Sequence, residues 1–338
     1  MDIRNRRAIH HTARERLAAA PGDPRSIALW YTLICSAMAL TATVLTGILT
    51  DRIADTGGLA SMGLRSILST GQTILPIVQA IITGCLTLGY HYAILCAVRG
   101  ESSDARNLAF GFRHFGPMLR ASLFQGLLYL SYGMISMYLA STIFMATPFA
   151  EPFYAVMDPL LESGTTLNPQ MAVDESVILA ASTTLKPLLW IWGGIFLLLF
   201  LPAYYSFRMT TFCIADNPRR GALASLHQSK LMLRRNRIAL LKLDISLWWF
   251  YVLQFLISLV CYGDVLLPMV GVELPFNSTV SYYLFFVLSL VLQIVTYYFL
   301  MNRVYAAYAV VYEGLTMPGE PRQPQQPTPE NLPFRTDY

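Results

Sequence analysis

Six runs of apolar residues, at 27–49, 73–98, 121–145, 188–209, 245–267 and 280–301, dominate the sequence. An α-helix rises about 1.5 Å per residue, so about 20 mostly apolar residues cross the hydrocarbon core of a bilayer. Every run meets that length, and the second exceeds it enough to tilt or to run past the bilayer. A soluble core accommodates one or two such runs, not six. Composition agrees: 55% of the 338 residues are hydrophobic and 13% are charged, against about 25% charged in a soluble domain. These proportions exclude a disordered chain, a nucleic-acid binder and an ordinary cytosolic enzyme. The expected fold class is all-α, a polytopic membrane protein with six transmembrane helices plus cytoplasmic interfacial amphipathic helices.

Orientation follows from the basic residues. With the amino terminus inside, all 24 Lys and Arg except Arg52, Arg65 and Lys186 fall on inner segments or at their edges. The positive-inside rule therefore places both termini in the cytoplasm of a cell membrane, taken as a bacterial plasma membrane. The connection between the third and fourth runs agrees, since it holds Glu151, Asp158, Glu162, Asp174 and Glu175 and no basic residue before Lys186. The first run follows a basic segment, 1–26, and is longer than the core of a signal peptide, so it reads as an uncleaved first span. The basic loops point to anionic inner-leaflet lipids as partners. No nucleic-acid partner follows from the +4 net charge.

Between and beyond the spans, the chain divides as follows. The first twenty residues form a short basic helix on the inner leaflet, with Ile3, Ile9 and Leu17 as a thin apolar side, ended by Pro21, Gly22 and Pro24. Amphipathic inner helices are expected at 105–120 and 218–235. Asn217 caps the second, with Pro218 at its first position, where a missing N–H costs nothing. Ser102 or Ser103 plays the capping part in the first, with Asp104 near the helix dipole. The outer loop, 146–187, is long enough for a small cap on the membrane. The tail, 315–338, follows the 27–314 membrane domain. It carries Pro318, Pro321, Pro324 and Pro327 at every third residue, and reads as a disordered, extended cytoplasmic segment, either solvated or a ligand for a partner.

Matching Cys96 with Cys213 sets His91 opposite Arg208 and suggests an internal repeat. The sixth span offers Arg303 with Tyr308 at the same five-residue spacing. Each outside-to-inside span then carries a His or Arg near its inner end. An ionisable group within a span is a functional lead. His91, Arg208 and Arg303 are the candidate contacts for an anion or headgroup, the alternative being arginines that snorkel to the interface.

No catalytic or metal-binding residues are identified, and no cofactor is implied. The five cysteines, 35, 85, 96, 213 and 261, fall in or beside apolar runs without a C-x-x-C pair, and read as buried thiols. The five histidines form no H-E-x-x-H, and neither G-x-S-x-G nor a P-loop occurs. Asp244 and Asp264 lie at opposite ends of the fifth span, too far apart to share a proton. Pro202 is expected to kink the fourth span. Ala39, Thr43 and Gly47 offer a thin face for close helix contact. Asn277-Ser278-Thr279 matches a glycosylation acceptor by coincidence.

The segment Phe212-Cys213-Ile214-Ala215-Asp216-Asn217-Pro218 is followed by Ala224, Ser229 and Met232, and then by Leu243-Asp244-Ile245-Ser246-Leu247-Trp248. This pattern resembles a family of bacterial six-span membrane proteins catalogued as a domain of unknown function (DUF nine-seven-five). Ala13-Arg14-Glu15-Arg16-Leu17 also fits. The resemblance runs from about Ile3 to Leu315 and is most specific over 212–248. Arg235 departs from it, where the family tends to have glycine. The resemblance implies architecture and localisation, and no activity.

The function expected is non-enzymatic binding or transport of a small solute or lipid. The alternative is a structural or regulatory adaptor working through the basic inner helices and the Pro-rich tail. A binder or transporter requires a polar cavity between spans. An adaptor requires a filled core and an exposed apolar patch outside the lipid belt.

Overall fold

A computed structural model describes residues 5–54, 59–154, 175–269 and 278–316. The described chain is all-α, and its β contact is a single isolated bridge between Gly22 and Ser103. In chain order the helices are α1 (Arg6–Ala19), α2 (Pro24–Ala54), α3 (Leu59–Arg99), α4 (Phe110–Arg113), α5 (Phe115–Met145), α6 (Glu175–Phe207) and α7 (Thr210–Asp216). There follow α8 (Ala222–Leu233), α9 (Arg237–Ser246), α10 (Trp248–Cys261), α11 (Gly263–Met269), α12 (Ser278–Thr296) and α13 (Asn302–Leu315). Five helical stretches are long and apolar enough to cross a membrane. The pair α9 and α10, bent by 61° at Leu247, makes a sixth. The protein is a polytopic α-helical membrane protein.

Two kinds of surface separate along the long helices. One is a belt of exposed large apolar side chains, including Leu45 and Ile48 on α2, Ile74 and Ile77 on α3, Leu127 and Tyr138 on α5, and Trp190 and Leu198 on α6. Phe255 on α10 and Val291 on α12 belong to it too. Lipid offers no hydrogen bonds, so each polar group in the belt must find an internal partner. Several hydroxyls do so on their own helix: Thr46 donates to the Ala42 carbonyl, Ser141 to Met137 and Thr142 to Tyr138.

The other surface is buried all round and forms a hub at one end of the belt. On α3 nearly every residue from Cys85 to Val98 is buried, and on α13 so are Val304 and the run 306–312. Packed with them are Ile9 and Ala13 of α1, Leu108, Met209, Phe212 and Cys213, Leu233 of α8, and Leu240 and Leu243 of α9. A fully buried Ile or Leu contributes about 1.5–3 kcal/mol, so this set is a substantial core. Ala93, Ala306, Ala307 and Ala309 are small enough for close helix approach. Two glycines permit tighter contacts still. A Cβ on Gly89 would meet the Leu108 backbone, and one on Gly111 would meet the backbone of Cys85. Polar ties lock the hub. Tyr90 donates to Asn302 Oδ1 (2.7 Å), Asn302 donates to the Pro24 carbonyl (2.8 Å), and Ser103 donates to the Ala93 carbonyl (2.7 Å). A π-helical turn, Tyr297–Met301, precedes Asn302.

Several expectations need adjusting. The helix near the amino terminus forms, capped by Asn5, but Ile9 and Leu17 pack into the hub rather than on a leaflet, and Ile3 lies outside the described residues. The 105–120 segment is not one helix. A 3-10 turn, Ala105–Ala109, leads into α4, and His114 breaks the chain before α5. Asp104 holds the N-cap position there, while Ser103 turns its hydroxyl to the hub. The 218–235 segment is likewise split into a 3-10 turn, Pro218–Arg220, and α8. Asn217 occupies the N-cap position of that turn and Pro218 its first position, but the Asn217 side chain makes no capping bond. The fifth span is broken at Leu247 and again at Tyr262. The fourth stays helical through Pro202, and a break beyond it falls at Arg208–Met209. The Pro-rich tail beyond Thr316, the outer-loop residues 155–174 and Asn277 lie outside the described residues.

Candidate functional site

Three polar features stand where the belt meets the hub. The first is built around Arg208, which follows the last residue of α6. Its Nη2 donates to the Tyr308 hydroxyl (2.6 Å), the Tyr251 hydroxyl (2.9 Å) and Asp244 Oδ1 (3.4 Å). Asp244 also accepts from Tyr205 at Oδ2 (2.7 Å) and from Tyr308 at Oδ1. The guanidinium lies over the rings of Tyr204 and Tyr308, 4.9 and 4.6 Å from their centroids, a favourable place for a desolvated cation. Both charged side chains are largely buried, at 15% and 12% exposed. Their attraction offsets the cost of taking two ions out of water, and the tyrosines satisfy both carboxylate oxygens. Arg208 therefore already has its anion.

His91 and Arg303 stand differently. His91 is buried, its Nδ1 lies 2.6 Å from the Thr87 carbonyl, and its ring meets Phe212 and Tyr305 edge-on. A carbonyl only accepts, so Nδ1 carries the proton. Tyr305 lies against Tyr308 as well, so aromatic rings connect His91 to Arg208. Arg303 is exposed. The structure brings His91 and Arg208 together and leaves Arg303 on the outside of α13.

The second feature clasps the hub ends of four elements. Glu313 of α13 accepts from Arg16 of α1 (2.6 Å) and from Arg99 of α3 (2.9 Å). Arg99 also pairs with Asp216 of α7 (2.6 Å), which accepts from Tyr312 (3.0 Å). Arg99 and Asp216 occupy matching positions when Cys96 is set against Cys213. Nearby, His10 Nε2 lies 3.0 Å from the Ser246 hydroxyl. Burial, and then the charge of Arg14, lowers the His10 pKa below its ordinary value.

The third feature is a cleft of about 530 Å³ between α3, α5 and α7, within the range of small-molecule sites. Its polar lining is Gln79, Thr83, Thr87, Ser122, Gln125, Thr210 and Thr211, and among the described residues no charged side chain lines it. Gln125 donates to the Phe207 carbonyl (3.3 Å) and to Thr210 Oγ1 (3.2 Å). It thereby joins the Thr210 hydroxyl, which donates to the same carbonyl (2.7 Å), in tying down the chain where α6 stops and α7 begins. Thr87 donates to the Thr83 carbonyl and meets the Tyr31 hydroxyl at 3.1 Å. Within the described residues, Gln79, Ser122 and Thr211 hold no side-chain hydrogen bond. Leu88, Met118 and Ile214 form the apolar wall. The mouth opens between α3 and α5, where Pro76, Ala80 and Ser122 are exposed and the lipid-facing Ile77 and Leu123 flank them.

Sequence reasoning singled out Arg208 but not its partner Asp244, nor the cleft. The available signals were a carboxylate at the start of an apolar run and two amides, Gln79 and Gln125, inside such runs. Among the described residues, no group of three or more His, Cys, Asp or Glu is placed to hold a metal ion. All five cysteines are free thiols. No family model matches the chain, and searches of curated proteins and of solved structures find no match either.

Proposed function

We propose that this is a non-enzymatic membrane protein that binds or moves a small solute or lipid through the cleft between α3, α5 and α7. The polar lining of that cleft, set among apolar helices, carries the reading. Unpaired hydroxyl and amide groups next to lipid are costly, and a ligand that bonds to them removes the cost. The resemblance to the DUF nine-seven-five family is part of the same proposal, as is a bacterial plasma membrane. The hub lies on the cytoplasmic side in this reading. Support comes from α1 and α13 meeting in it, together with basic residues such as Arg16, Arg99 and Arg208. Exposed Leu223, Leu231 and Ile238 lie near exposed Lys230, Arg234 and Arg235. This pattern suits an anionic inner leaflet and also supports the second reading, an adaptor holding a protein partner.

The test is native mass spectrometry of the full chain purified with its co-extracted small molecules. One retained molecule per chain is expected, and Ala80→Phe, which fills the mouth, abolishes its retention. A wild-type chain that emerges empty under every extraction condition sinks the proposal. A retained protein in place of a small molecule favours the adaptor.

A further inference from the structure

We infer that the cleft takes a lipid with an uncharged, hydroxyl-bearing headgroup, entering sideways from the bilayer. This rests on the function just proposed and adds the chemical class of the ligand. Three observations converge on it.

The first is charge. Among the described residues, the lining contains Gln, Thr and Ser and no Lys, Arg, His, Asp or Glu. A phosphate buried there would lack a counter-ion, and an unpaired buried charge is strongly disfavoured. Arg208, two residues before Thr210, supplies none, because Asp244 and two tyrosine hydroxyls already hold it.

The second is hydrogen-bond type. The side chains free to bond, Gln79, Ser122 and Thr211, each both donate and accept. Their complement is a group that also does both, as an alcohol does. A carboxylate or phosphate that only accepts leaves half of them unmatched.

The third is position. On α3 the lining passes from the exposed Pro76 and Ala80 to the buried Leu88, and on α5 from the exposed Ser122 to the buried Met118. The cleft therefore straddles the border between belt and hub, the level at which headgroups sit. Its mouth faces the belt, between Ile77 and Leu123. A headgroup bonded inside leaves its acyl chains lying along the exposed apolar faces of α3 and α5.

The experiment offers the purified full chain three probes: dioleoylglycerol, dioleoylphosphatidylglycerol and glycerol. The first two share their tails; phosphatidylglycerol replaces the single free alcohol of dioleoylglycerol with a larger, negatively charged phosphoglycerol that bears two hydroxyls. Native mass spectrometry and thermal unfolding report binding. The variants are Gln79→Leu combined with Thr211→Val, and Ser122→Ala alone. They remove side chains with no internal bond, and thermal unfolding without ligand checks that they fold. The expected result is one dioleoylglycerol per wild-type chain, with about tenfold weaker binding in the double variant from the loss of two neutral hydrogen bonds. Ser122→Ala, if the double variant does not fold, is expected to weaken binding by a few-fold. Phosphatidylglycerol binding as well as dioleoylglycerol, or dioleoylglycerol binding unchanged in the variants, overturns the assignment. Stabilisation by glycerol without retention of the lipid also overturns it, in favour of a soluble polyol. These outcomes differ from failure of the proposed function, in which the wild-type chain retains no small molecule of any class.

Discussion

At Asp244, truncation removes far more than one hydrogen bond. The Arg208 guanidinium is left largely buried with no other carboxylate bonded to it. Breaking a buried pair on one side typically costs about 3–5 kcal/mol, while removing both charges together costs much less. Asp244→Ala is therefore expected to destabilise by that amount, and Asp244→Ala with Arg208→Met to recover most of it, read as unfolding in detergent. Additive losses would show that the charges do not act as a pair. Arg208 was visible in the sequence because an ionisable group stood inside an apolar run. Asp244 was not, because only the tertiary fold bridges the 36 residues between them. Tyr308 was noticed for the wrong arginine. Five residues along a helix turn about 140° around its axis, so Arg303 and Tyr308 point to different sides of α13, and Tyr308 bonds Arg208 instead. A milder effect belongs to His10. Its pKa is lowered in the folded chain, so the unfolded chain binds the proton more readily. The stability it contributes is complete above pH 6.5 and falls as pH drops through the lower folded value. Proteolysis at α1 is expected to quicken below that pH, and less so in His10→Gln.

Among the elements, close backbone contact joins side-chain packing, the buried Leu108 and the Tyr92–Phe110 ring stack, in fixing the 105–113 segment against α3. Gly89→Ala or Gly111→Ala drives a methyl into the main chain of the opposite element. Overpacking of this kind costs about 1–3 kcal/mol, and a rigid backbone belongs at the upper end. Gly126→Ala on α5 meets nothing within 4 Å, and is expected to be neutral or to stabilise by about 0.5–1 kcal/mol through helix propensity. Thermal unfolding of the three variants decides the matter, and equal effects would refute the contact argument. The helices themselves could be read in advance, since apolar run length and helical structure coincide. Their breaks could not. Hydropathy sums composition and carries no direction, so the apolar stretch around Leu247 scores alike whether straight or bent by 61°. Pro202 marks the kink expected in the fourth span. Helix persists there, and the Ser206 hydroxyl bonds the Pro202 carbonyl (2.6 Å).

For the whole molecule, the division into belt and hub explains which part of the reading from sequence was sound. Burial in lipid and burial in protein both select apolar residues. Hydropathy therefore found the spans but could not see that 85–98 packs within the hub. What separates the two is residue size and neighbours: Ala93, Ala97, Ala306, Ala307 and Ala309 are buried, while the belt shows large side chains. The hub also ties α1, α3, α7 and α13 into one charged clasp, so these elements must share one side of the membrane. The positive-inside bias names that side as the cytoplasm, and cysteine labelling tests it. In a chain whose five native cysteines are first replaced, His227→Cys reports from exposed α8 and Glu151→Cys from the opposite end of α5. On intact cells an impermeant maleimide is expected to modify Glu151→Cys at once, and His227→Cys only after permeabilisation. The reverse pattern would put the hub outside and separate its arginines from the inner-leaflet anions that favour the proposed orientation.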